Sequence, residues 1–159
     1  MPFILNYIGI FFIIVFSCLR GEGSNNNNNE LQYKSWLRQF EEAVVQNQTS
    51  ILHNYFVSEA EALQIANLYK HLIPEIAVRE YIPLMAKQIH YKSDSSYQVV
   101  LSRFVSKAQR VEWISFEETT ENNQKFVALT VSFVVGGRTY KHKLAGIIIN
   151  DEFNILEIQ

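Results

Sequence analysis

Between Lys125 and Ile158 the apolar positions fall into two long runs and one short one, KFVALTVSFVV, RTYKHKLAGIII and FNILEI, separated by Gly136-Gly137 and by Asn150-Asp151-Glu152. The first run carries Phe126, Val127, Val131, Phe133, Val134 and Val135, residue types that suit a pleated, half-buried surface. Gly-Gly accepts the positive φ angles of a two-residue hairpin turn. The pattern predicts an antiparallel meander. Its return strand, Arg138 to Ile149, is apolar on both sides from Leu144 onward, which predicts a central strand covered twice. Upstream, Val111 to Glu118 alternates as a strand, with Val111, Trp113 and Ser115 on one side and Ile114 and Phe116 on the other. Tyr97 to Val105 reads as a further strand from its β-branched content, entered through a polar turn at Ser93-Asp94-Ser95-Ser96.

The first half of the chain has a different period. Tyr33, Trp36, Leu37, Phe40, Ala43 and Val44 recur at helical spacing, with Lys34, Arg38, Glu41 and Glu42 opposite, predicting an amphipathic helix over Glu30 to Gln46 capped by Asn29. A short helix follows, capped by Thr49 or Ser50 and carrying Ile51, Leu52, Tyr55 and Phe56. Ser58-Glu59-Ala60-Glu61 is a capping box that opens a third helix, which Pro74 ends after Leu72. Glu75 to Ile82 predicts a fourth short helix, with Pro83 restarting the chain toward Ile89. Helices first and strands after define an α+β fold, with N-terminal helices packed on one face of a curved antiparallel sheet.

Composition narrows the classes. Of 159 residues 48% are hydrophobic and 13% aromatic, enough for a packed core. The formal net charge is −2 and the basic residues are scattered, which argues against a nucleic-acid partner. Cys18 is the single cysteine, and His53, His71, His90 and His142 show no ligand spacing, so neither a metal nor another cofactor is expected. Asp94 and Asp151 sit in predicted turns, where Asp is expected for backbone reasons.

Residues 2 to 19, PFILNYIGIFFIIVFSCL, form an uncharged apolar block of the kind that directs export, although no Lys or Arg precedes it. Val15-Phe16-Ser17-Cys18 resembles the lipobox of bacterial lipoproteins, with Phe16 departing from the commonest pattern. That resemblance implies cleavage before Cys18 and lipidation of Cys18, with acyl chains held in a bilayer by ~0.8 kcal/mol per methylene. A plain cleaved signal and an uncleaved anchor helix are the competing readings. Arg20 to Asn29 is Gly-, Ser- and Asn-rich and reads as a flexible tether. The expected organisation is an export signal over 1–17, a tether over 18–29 and one α+β domain over 30–159, located in the cell envelope or secreted. Asn47-Gln48-Thr49 also fits a glycosylation acceptor.

The opening helix with Trp36 and Phe40, the short segment Asn47 to Phe56, and the closing run VSFVVGGRTYKHKLAGIIINDEFNILEI together resemble the nuclear transport factor 2-like (cystatin-like) superfamily. The chain departs from it in carrying Glu152 where the last turn usually has Gly, and in a longer helical middle from Ser58 to Ile89. The resemblance implies a sheet bent into a cone with an apolar mouth. Some members are enzymes with an acid–base pair in that mouth, and many only bind. His142 with Tyr140 is the candidate polar handle if both point inward; the competing reading makes Arg138, Tyr140 and His142 a solvated outer stripe. Trp36, Phe40 and Trp113 are candidates for pocket lining or, more simply, for core. The expected function is an exported, membrane-tethered binding domain whose ligand is a protein or a small apolar molecule. The alternatives are a small enzyme of the ketosteroid-isomerase or polyketide-cyclase kind and an inhibitor or immunity-type protein.

Overall fold

The computed structural model describes residues 27–159; the export block, Cys18 and most of the predicted tether lie outside the described residues. The protein is α+β: helices come first and a four-stranded antiparallel sheet follows in the order β1-β2-β3-β4. The helices are α1 (Asn27–Val45), α2 (Thr49–His53), α3 (Glu59–Leu68) and α4 (Val78–Arg103), with short 3-10 turns at Lys70–Leu72 and Glu75–Ala77. The strands are β1 (Ala108–Glu121), β2 (Gln124–Val135), β3 (Arg138–Ile149) and β4 (Glu152–Ile158).

Each pair of strands is joined by a two-residue turn in which both residues have positive φ: Asn122-Asn123, Gly136-Gly137 and Asn150-Asp151. The flanking pairs Glu121–Gln124, Val135–Arg138 and Ile149–Glu152 close the three hairpins. Asn, Asp and Gly are the residues that enter this region at least cost, and the resulting turn matches the right-handed twist of the strands.

Alternate residues of β2 point into two separate apolar clusters. Val127, Leu129, Val131 and Phe133 join α1, α2 and the end of α4, including Phe40, Leu52, Val100 and Phe104. Phe126 and Ala128 join α3 and the first half of α4, including Ala62, Ile65, Ile82, Met85 and Ile89. Successive side chains on a strand face opposite ways, so the sheet carries helices on both faces rather than the one expected. The doubly covered end of β3 follows the sequence pattern: Leu144 enters the first cluster and Ala145 and Ile147 the second.

Three local expectations are corrected. The predicted turn at 93–96 and residues 97–103 of the predicted strand are the last turns of α4, a helix of 26 residues that also runs through Pro83, and Phe104 and Val105 lie in the turn that follows. Ser93 is fully buried and its hydroxyl donates to the Ile155 carbonyl at 2.8 Å, while the Ser96 hydroxyl accepts from Ile158 N–H at 3.0 Å. The serines look like turn residues in the sequence because nothing local shows that the edge of β4 lies against them. In β1 a bulge between Trp113 and Ser115 shifts the alternation, so Phe116 packs on the same cluster as Val111 and Trp113. Finally, Asn29 is inside α1 and reaches across to β1 instead of capping, and the residue that precedes α2 is Gln48, with no side-chain cap. The capping box of α3 forms as read: Glu61 N–H donates to Ser58 Oγ at 3.3 Å and Ser58 N–H to Glu61 Oε2 at 2.8 Å.

Candidate functional site

An open groove of about 540 Å³ lies between α1, the end of α2 and the β3–β4 turn. Its floor is aromatic. Trp36 lies edge-to-face with Phe153 at 4.7 Å and with Tyr55 at 5.4 Å between ring centroids. Beneath it Phe40 stacks on Trp36 at 5.2 Å with an interplanar angle of 9°. Phe40 is fully buried, so it supports the floor and does not line the groove. Trp36 and Tyr55 are only half-buried. Rings in such perpendicular arrangements are held in place by their quadrupoles as well as by burial.

Two tertiary features bring these rings together. Tyr33, Trp36 and Phe40 follow one another on α1 at the i, i+3, i+7 spacing that sets them on one stripe. Tyr55 arrives from a different part of the chain: its carbonyl accepts from Ile155 N–H at 2.7 Å, and Val57 N–H donates to the Ile155 carbonyl at 3.1 Å. This short parallel bridge, centred on Phe56 and Ile155, seals the outer edge of β4 and seats Tyr55 beside Trp36.

The rim is polar. Asp151 and Glu152 are exposed at one lip, and Gln32, Gln39 and Asn54 are exposed along the others. Gln32 Nε2 donates to the Asp151 carbonyl at 3.2 Å. Burial, then the negative charges of Glu42 and Glu152, push the Tyr55 hydroxyl above its ordinary value of 10.0. Beyond the Gln32–Asp151 contact the surface opens into a second groove of about 350 Å³ that shares Gln32, Tyr33 and Asp151 and reaches Lys125.

A polar cluster ties α1 to the sheet at the junction of the two grooves. The Tyr33 hydroxyl donates to Glu118 Oε1 at 2.5 Å, and Asn29 Nδ2 donates to both Glu118 oxygens, at 2.8 and 3.2 Å. Lys125 Nζ lies 3.4 Å from the same carboxylate. Desolvation is the main reason the Tyr33 hydroxyl is pushed far above its ordinary range; its bond to the Glu118 carboxylate adds to this. Tyr33 is 2% exposed, whereas Lys125 at the other end of the cluster is 41% exposed, so the fastening runs from the interior to the surface.

The residues singled out in the sequence separate into three places. Trp36 lines the principal groove and Phe40 lies under it. Trp113 stands apart on β1, packed against Phe116 with the Lys34 ammonium 5.6 Å above its ring. Tyr140 and His142 share a third groove of about 380 Å³ near the Gly136-Gly137 turn, with Phe104 between them. His142 packs edge-on to Phe104 and Phe133, and its Nδ1 donates to the Gln159 backbone oxygen at 3.1 Å. The charged partners lining that groove are Arg103 and Lys107, not a carboxylate. His53 lies against Tyr97, and His90 Nδ1 bonds the Val57 carbonyl at 3.2 Å. Among the described residues no group of His, Cys, Asp and Glu side chains is arranged to hold a metal ion, and no helix is long and apolar enough to cross a membrane.

Tyr55, Phe153, Asp151 and Glu152 were not singled out as one site by the sequence. Asp151 reads as a turn residue and Tyr55 as the tail of a short helix; only the β4 bridge places them together. Family models, curated proteins and solved structures were all compared with the chain, and none matches it.

Proposed function

We propose that this is a non-enzymatic binding domain, carried across a membrane and held at its surface by the N-terminal segment, and that it receives its partner in the groove over Trp36. One observation carries the reading: half-buried aromatic rings floor an open, polar-rimmed groove, the combination by which recognition sites join apolar contact to orientation. Acid–base work would need titratable groups converging on an apolar pocket. Here the histidine with the most suggestive sequence position, His142, is engaged with a backbone oxygen and stands among cations. The buried apolar residues of the central strands pack into the two helix-covered clusters, whereas Trp36 and Tyr55 stay half-buried at the groove.

The location follows from residues 2–19 and from the Ser17-Cys18 junction. An acylated Cys18 followed by a polar, Asn-rich stretch would hold the domain off a bilayer while leaving the groove open to solvent. Expression of the full chain in a bacterial host with an alkyne fatty-acid probe tests the anchoring. The expected result is labelling of the wild type and none of Cys18→Ser. Equal labelling of both, or no labelling of the wild type, would refute it.

A further inference from the structure

The geometry points to a basic side chain, arginine or lysine, carried on an extended peptide as the group that the Trp36 groove receives; this rests on the reading of that groove as the binding site. None of the eleven residues that line it is basic, and the two that are charged, Asp151 and Glu152, are both acidic and both exposed. The third groove is the internal contrast, since its two fully charged lining residues are Arg103 and Lys107. The field in the principal groove is therefore locally negative on a chain whose net charge is only −2.

A neutral apolar occupant would use the aromatic floor and leave the two carboxylates of the lip without a partner. A guanidinium or ammonium answers both features at once: it pairs with carboxylates at the rim and is attracted to the faces of Trp and Tyr on the floor. Glu42 adds to the field: after burial, the charges of Glu42 and Glu152 are what raise the Tyr55 hydroxyl above its ordinary value. No cation lies among the lining residues to neutralise this field. Lys125, in the adjoining groove, is 3.4 Å from Glu118, and Lys34 on α1 is 2.6 Å from Glu30, so both ammonium groups have carboxylate partners of their own.

The shape favours a chain over a compact metabolite. The groove is open along its length and continues past the Gln32–Asp151 contact into the 350 Å³ groove. Gln32, Gln39 and Asn54 stand along it with exposed carboxamides. A carboxamide both donates and accepts, which matches the alternating N–H and C=O groups of an extended peptide.

Four capped peptides, Gly-Gly-X-Gly-Gly with X arginine, lysine, citrulline or glutamate, separate the outcomes. Trp36 emission is read in a Trp113→Phe background, so that a single indole reports. The arginine and lysine peptides are expected to bind roughly tenfold or more tightly than the citrulline peptide, and to weaken several-fold as salt rises from ~50 to ~300 mM. The double variant Asp151→Asn, Glu152→Gln is expected to erase that preference, bringing arginine and lysine peptides to the affinity of the citrulline peptide. Asn tolerates the positive φ of 65° at position 151, so the turn survives, and an unchanged melting temperature verifies this. Equal binding of all four peptides, or a preference for glutamate, would overturn the cationic ligand and leave the groove as a binding site. Failure of all four peptides and of the neutral probes indole and acetanilide to perturb Trp36 would overturn the ligand and the groove together.

Discussion

Tyr33 shows how one side chain links folding to the site. It is a member of the apolar stripe of α1, yet its hydroxyl ends on a carboxylate that is itself only 14% exposed. The neutral phenol is the form that this setting stabilises. The folded state therefore holds the proton more tightly than the unfolded chain, whose tyrosine ionises near 10.0. The contribution is fully present below that pH and is lost as pH rises above it, by about 1.4 kcal/mol for each unit until the folded group ionises. Tyr33→Phe is expected to cost about 1.5 kcal/mol at pH 7, from the lost bond to a charged partner. It is also expected to lose stability less steeply between pH 10 and pH 12. Urea midpoints of both proteins across that range are the check, and parallel profiles would contradict it. The stripe was legible in the sequence from spacing alone. The Glu118 bond was not, because the 85 residues that separate the two positions carry no local signal of the contact.

At the scale of elements, the meander is legible because its turns are written in the residues that connect the strands. Gly-Gly, Asn-Asp and Asn-Asn each fall where both φ angles are positive, and the apolar runs between them have the period of strands. The long helix α4 was not legible for a physical reason. Its Pro83 removes one backbone bond close to the helix start, a loss that burial of Ile82, Met85, Ala86 and Ile89 offsets. Its serines borrow partners from β4. Its last turns carry the β-branched pair Val99 and Val100, although Tyr97, Val100, Leu101 and Phe104 also recur at helical spacing. Strand preference is a statement about packing context and yields to it. The junction of β3 and β4 gives this scale its test. At Gly146 the pairing register shifts, and an added Cβ would stand 2.2 Å from the Asn154 carbonyl oxygen and 2.6 Å from the Phe153 ring. Gly146→Ala is therefore expected to destabilise by about 3 kcal/mol and to displace Phe153 from the groove floor. At Gly137, with open space around it and φ of +76°, alanine is expected to cost only about 1 kcal/mol. Thermal melting of the two variants side by side checks the order, and equal losses would contradict this account of the bulge.

For the molecule as a whole, the division of labour runs along α1. Its inner side closes a core against the sheet, and its outer rim, with the bridge from Tyr55 to β4 and the Asn150-Asp151 turn, builds a groove from three distant parts of the chain. Trp36 could be found from the sequence as a large ring on an amphipathic helix. Its neighbours could not, since Tyr55, Asp151 and Phe153 become one surface only when the sheet closes. The grooves at opposite ends differ in the sign of their charge, so a ligand that chooses between them reports which one is used. The most direct measurement is a ligand-independent one: amide and indole shift mapping of the isotopically labelled domain against a diverse panel of small fragments. The perturbations are expected to concentrate on the Trp36 indole, Tyr55, Asp151 and Phe153. Perturbations gathered instead on Phe104, Tyr140 and His142, or spread without focus over the sheet, would contradict it.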